Sequence, residues 1–100
     1  MALNIFWTER AKAHLRDILD FIGFDNRDAA RALARKVFQS VDRLAEFLHS
    51  GRGLPELESS PFRERVVGPC RVVYLVREDA IVILVVVRAE RSPTPGLLET

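Results

Sequence analysis

Arginine is the residue through which this chain could do chemistry. Thirteen of its fifteen basic residues are arginines, and the two lysines are Lys12 and Lys36. Six of the arginines fall between Phe62 and Arg91, at positions 63, 65, 71, 77, 88 and 91, against four acids at 64, 78, 79 and 90. A guanidinium is planar and permanently charged, with a fork of donors that fits phosphate and carboxylate. Groups that could move a proton are scarcer: His14, His49, Tyr74 and Cys70. Arginines alone can hold an anion, but bond cleavage at a phosphate also needs a general acid and a general base. The bland alternative is a solvated sheet rim. On that view Arg63 and Glu64 form an ion pair worth little at a surface.

The stretch that carries these arginines reads as three strands. Phe62 to Val67, Arg71 to Val76 and Ile81 to Val87 are separated by turn segments, Gly68-Pro69 and Arg77-Glu78-Asp79-Ala80. Arginines mark the strand starts and ends. The run IVILVVV has no polar alternation, as expected of a strand covered on both faces or lying mid-sheet.

Upstream, Ala2 to Trp7 reads as a short first strand, with Thr8 as N-cap of a helix. From Glu9 to Ile22 the positions Ala11, Leu15, Ile18, Leu19 and Ile22 follow the spacing of one helical face. Gly23 is placed to end that helix, and Asp25 or Asn26 to cap the next. The second helix is expected over about residues 27–48, with a stripe of Ala30, Leu33, Val37, Val41, Leu44, Ala45 and Leu48. So short a connection makes an antiparallel pair. The stripes, with Val73, Ile81, Ile83 and Val85, form the expected core. Phe6, Phe21, Phe24, Phe38, Phe47 and Trp7 read as core and helix-contact residues. Residues 49–57, HSGRGLPEL, read as a loop, and residues 92–100 as a tail without periodicity.

The expected fold is therefore α+β in the order β-α-α-β-β-β. A small, mainly antiparallel four-stranded sheet has its first strand beside its last, and a helical hairpin covers one face. One domain spans residues 1–91. A chain of 100 residues with 48% apolar residues and a net charge of +1 suits a single globular domain. No apolar run reaches the ~18 residues of a membrane span, and the N-terminus lacks the pattern of a secretory signal, so a cytoplasmic protein is expected. Cys70 is the only cysteine, which excludes an internal disulfide and any cysteine-based metal site. No metal-ligand spacing occurs, Gly51-Arg52-Gly53 lacks the flanks of a phosphate-cradling loop, and no cofactor is expected.

The ordered pieces WTERA (residues 7–11), LRDILDFI (15–22), DAARALARKV (28–37), GRGLPEL (51–57) and FRER-x-x-GPCRVVYLVREDAIVILVVVRAER (62–91) resemble the ParE/RelE superfamily of type II toxin–antitoxin toxins. Two positions depart from its pattern. Cys70 stands where tyrosine is usual, and Arg88-Ala89-Glu90-Arg91 closes the chain where a histidine commonly precedes the arginines.

The resemblance implies a toxin neutralised by a cognate antitoxin protein, with plasmid stabilisation among the family's roles. It leaves two activities open on one scaffold. ParE-like members bind DNA gyrase and trap it on cleaved DNA. RelE-like members cleave messenger RNA on the ribosome, using lysines and arginines of the sheet with a tyrosine or histidine near the C-terminus. Here His14 and His49 are expected away from the sheet. Tyr74 shares one side of its strand with Val72 and Val76 and reads as core, Cys70 as structural, and residues 92–100 contain no tyrosine, histidine or lysine. The expectation is thus a ParE-like gyrase poison without catalytic residues. Its target surface lies at Arg88 and Arg91, flanked by Arg63, Arg65 and Arg71. The alternatives are an mRNA endoribonuclease, or a non-toxic member that retains antitoxin binding. Direct nucleic-acid binding is left open.

Overall fold

The computed structural model describes residues 4–46, 51–53 and 60–89. Strand β1 (Asn4–Trp7) leads into helices α1 (Glu9–Asp25) and α2 (Arg27–Glu46), followed by β2 (Arg52–Gly53), β3 (Arg63–Val67), β4 (Cys70–Val76) and β5 (Ala80–Arg88). The sheet order is β1-β5-β4-β3-β2, with β1 parallel to β5 and the other pairs antiparallel. The expected α+β topology is present, and β5 has a neighbour on each side. The fifth strand, β2, is two residues long and falls where a loop was expected. The expected Leu48, Phe47, His49 and Arg91 positions lie outside the described residues, as does Ala2. No described helix is long and apolar enough to cross a membrane.

Caps fix the helix bounds. Thr8 has extended backbone (φ −67°, ψ 157°), and its Oγ1 accepts from the Ala11 N–H at 3.0 Å. Asn26 serves both helices. Its N–H donates to the Ile22 carbonyl, ending α1, while its Oδ1 accepts from the Ala29 N–H at 3.0 Å, starting α2. Gly23 is therefore inside α1 rather than beyond its end. A Cβ at Gly23 would meet the Ala30 Cβ at 3.4 Å, so its smallness serves close helix packing.

Gly68-Pro69 joins β3 to β4 as a two-residue hairpin loop between Val67 and Cys70. Gly68 has φ 56°, a left-handed backbone at the loop's first position that suits a II′ turn.

The hydrophobic core lies between helices and sheet. Ala11, Leu15 and Ile18 of α1 and Leu33, Val37, Val41, Leu44 and Ala45 of α2 are buried against Cys70, Val72, Tyr74, Ile81, Ile83 and Val86. Leu19 and Ile22 are partly buried at its margin. Trp7 packs there too, its ring 5.5 Å from that of Phe38. The other sheet face has its own apolar cluster: Val73, Leu84 and Val85 are buried, with Phe62, Leu75, Val82 and Val87 beside them. Two apolar faces explain why β5 shows no alternation in its sequence.

The phenylalanines correct the expectation of a buried set. Phe24 is 90% exposed, Phe21 65%, Phe6 57% and Phe38 48%. On α1, Phe21 and Phe24 stand out of phase with the buried stripe, and helical geometry puts them at the surface.

Candidate target-binding surface

The registers divide the arginines between the two sheet faces. Arg63 pairs with Tyr74, Arg65 with Val72 and Cys70 with Arg88, which places these side chains on the helix side of the sheet. Arg71, between Cys70 and Val72, points to the opposite face, as does Glu64 opposite Val73.

Glu64 is fully buried and held from two sides. Arg71 Nε donates to its Oε2 at 2.6 Å, and Arg52 Nε donates to its Oε1 at 2.7 Å. The Arg71 side chain is 7% exposed and that of Arg52 66%. Arg71 is thus an interior residue, not a flank of an exposed surface. Its position on an apolar strand face, opposite a buried carboxylate, decides this. Arg52 was missed in the sequence because its place in a Gly-rich segment gave no strand signal. The Arg63–Glu64 ion pair of the bland alternative does not form, since neighbours in one strand face opposite sides. Arg63 instead donates through Nη2 to the Gly51 carbonyl.

Among the described residues, the remaining arginines of the expected surface, Arg63, Arg65 and Arg88, are partly exposed. Arg65 is half-buried on β3. Arg88 ends β5 with its guanidinium 4.4 Å from the centre of the Phe21 ring, a cation–π contact that fixes the charge at the tip of the sheet. Arg88 therefore shares a surface with an exposed aromatic side chain of α1.

A bulge shapes this end of β5. Val73 pairs with Val85 but Tyr74 with Ile83, so Leu84 is the extra residue. β1 pairs with β5 only as far as Ile83, and α1 takes over along the edge beyond it. Thr8 N–H donates to the Ile83 carbonyl at 3.0 Å, and Thr8 Oγ1 donates to the Leu84 carbonyl at 2.9 Å. His14 Nδ1 accepts from the Val86 N–H at 3.3 Å. His14, expected away from the sheet, touches β5.

Of the proton-transfer candidates, Tyr74 and Cys70 are withdrawn from solvent and His14 is half-buried. Tyr74 is 0% exposed and its hydroxyl, also buried, has no hydrogen-bond partner among the described residues. Cys70 is a free thiol at 0% exposure, and burial pushes it above the ordinary thiol range, with Arg88 opposing. Burial pulls His14 below the ordinary imidazole value, helped by Arg10 and opposed by Asp17. Among the described residues no group of three His, Cys, Asp or Glu side chains is placed to hold a metal.

A small sheet covered on one face by a helical hairpin, with Arg88 at the end of β5, defines a scaffold for binding. Residues 5–93 match the family model described as ParE toxin of type II toxin–antitoxin system, parDE. The chain belongs to this family and is a type II toxin of the ParE/RelE superfamily. It is 36% identical over 85 residues to Toxin RelE2 of Caulobacter vibrioides, covering 85% of this chain and 92% of that one. Among solved structures it is similar to the chromosomal ParDE system of P. aeruginosa, with a TM-score of 0.74 and 24% identity over 89% of this chain and 98% of that chain. It is also similar to the RelBE2 toxin–antitoxin complex of Mycobacterium tuberculosis, with a TM-score of 0.61 and 16% identity over 88% and 99%. At these identities the structures speak to the shared fold.

Proposed function

We propose that this toxin is a ParE-like inhibitor of DNA gyrase that acts by protein binding and is neutralised by a cognate antitoxin. The burial of Tyr74 carries this reading. An endoribonuclease must present a proton donor or acceptor to its substrate, and the one tyrosine of the sheet keeps its hydroxyl in the core. Cys70 is equally withdrawn, and the Nδ1 of His14 is occupied by the Val86 N–H. What remains at the surface is positive charge and aromatic area, which suits recognition of a protein with acidic groups. Arg88 is the centre of that surface, with Arg65 and Arg63 to its side and Arg91 following.

The antitoxin is expected to wrap the toxin as a helix in a groove or an added strand, its acids meeting arginines. The relatives in the ParDE and RelBE2 systems support such a partner. One observation favours the second reading, a ribosome-dependent mRNA endoribonuclease: the similarity to a protein named Toxin RelE2. Purified toxin should be assayed in parallel against gyrase supercoiling and against mRNA on translating ribosomes. Loss of supercoiling with accumulated cleaved DNA is the expected result. Ribosome-dependent cleavage with gyrase untouched would overturn it.

A further inference from the structure

Past Ile83 no described strand lies beside the outer edge of β5, and two side chains near the start of α1 stand in for one. Thr8 supplies a donor to the Leu84 carbonyl and His14 an acceptor to the Val86 N–H. A buried backbone N–H left without an acceptor is destabilising, so His14 has a structural reason to keep Nδ1 free of a proton. Two residues beyond Val86 stands Arg88, on the same side of the strand and stacked on Phe21 of the same helix. The helix thus grips β5 twice within three residues, once by a titratable ring and once by an aromatic one.

We propose that His14, with its Nδ1 unprotonated, is a positioning residue that holds the end of β5 on α1 and thereby sets Arg88 for target binding. The inference rests on the reading of Arg88 as a target contact. Protonation of Nδ1 turns the acceptor into a donor facing the Val86 N–H. The two donors repel, the edge of β5 lifts from α1, and Arg88 leaves the Phe21 ring. The charged groups that act on the ring are Arg10 and Asp17 of α1; Arg88 of β5 lies over Phe21 further along the helix. β1 contributes no charge, and α2 meets the core through Leu33, Val37, Val41 and Leu44. Arg10 and burial both favour the neutral ring, so the grip is closed near neutral pH and opens on acidification.

Asparagine is the informative replacement. Its Oδ1 occupies nearly the place of the imidazole Nδ1, accepts a hydrogen bond and does not titrate. The experiment follows the Val86 amide and the Arg88 side-chain signals by NMR from about pH 7.5 to about pH 5, in the parent, His14→Asn and His14→Ala. In the parent, the Val86 protection factor, taken relative to the unfolded chain at each pH, should fall by about tenfold on acidification, and Arg88 should lose its ring-current shift from Phe21. His14→Asn should hold both signals across the range, and His14→Ala should show the released state throughout. At neutral pH, gyrase inhibition should survive in His14→Asn and fall in His14→Ala. An Arg88 signal that ignores His14 titration, or His14→Asn titrating like the parent, overturns the positioning role and leaves the target reading standing. If Val86 and Arg88 respond as expected while His14→Ala inhibits gyrase fully, the target reading fails and the positioning role falls with it.

Discussion

Arg71 and Glu64 form a buried ion pair on the sheet face away from the helices, Nε to Oε2 at 2.6 Å, with the carboxylate fully enclosed. The second oxygen of Glu64 is taken by Arg52, whose side chain stays largely exposed, so a single carboxylate ties β4, β3 and β2 together. Glu64→Ala leaves Arg71 charged and enclosed and should cost about 3–5 kcal/mol. Joint replacement by Glu64→Leu and Arg71→Met should recover part of that loss, because desolvation of both charges is removed. Urea unfolding of the parent and the two variants decides it; equal loss in the single and double variants would show that the pair has no special role.

Gly51 lies against the Tyr74 ring. A Cβ there would overlap the hydroxyl, stand 2.9 Å from Cζ and come within 2.7 Å of the Glu64 carbonyl oxygen. Gly51→Ala should cost about 1–3 kcal/mol by overpacking. Tyr74→Phe alone should be neutral or slightly stabilising, since its hydroxyl is buried without a partner among the described residues. Combined, the two should cost less than Gly51→Ala by itself. A strictly additive thermal-denaturation cycle would mean that the hydroxyl is not what excludes the side chain.

The helical stripe makes a plain test of the core. Leu44 is 0% exposed and Leu33 7%, so truncation to Ala should cost about 2–5 kcal/mol at each. The larger loss is expected at Leu44. Unchanged midpoints in denaturant would remove α2 from the core.

These positions also show where the sequence is legible. Leu33, Val37, Val41 and Leu44 recur at a helical period, and Thr8 and Asn26 are cap residues at the right places, so helices and topology follow from local chemistry. The apolar run in β5 foretells its two covered faces. Arg71 was not legible as an interior residue, because nothing local says which side of a strand receives a partner for its charge. Its acceptor, Glu64, lies across a hairpin, and the second donor, Arg52, sits on a strand of two residues without a pattern. His14 fell outside the expectation for a related reason. Its contact with Val86 depends on β1 stopping short of the β5 bulge, a long-range register that helix periodicity does not encode.

Stability should fall at both ends of the pH scale, for separate reasons. His14 has a folded pKa below its unfolded value, so the unfolded chain takes the proton first on acidification. Its contribution is complete above the ordinary imidazole value and is lost as pH falls through the lowered folded value. Cys70 has a raised folded pKa, so its contribution is complete below the ordinary thiol value and is lost as pH rises through the raised one. Melting temperatures across pH should show both limbs. His14→Asn should flatten the part of the acid limb nearest neutrality; a limb identical to the parent's would assign it to the carboxylates instead.

Arg88 offers the cleanest separation of binding from folding. Its guanidinium rests on an exposed ring, a contact worth about 0.5–1 kcal/mol at such sites. Arg88→Glu should therefore leave the melting temperature within a few degrees of the parent while abolishing growth inhibition. Arg88→Lys keeps the charge but loses the planar stack, and intermediate toxicity is expected. Arg71→Met should also reduce toxicity, but through unfolding, because it removes the enclosed one of the two guanidinium partners of the buried Glu64 carboxylate. Reading melting temperature and toxicity together distinguishes the two arginines. Tyr74→Phe completes the set: a gyrase inhibitor asks no proton of that hydroxyl and should remain toxic. A nuclease that used it would slow by about 10²–10⁴-fold. Full toxicity in folded Arg88→Glu would move the target surface elsewhere on the domain.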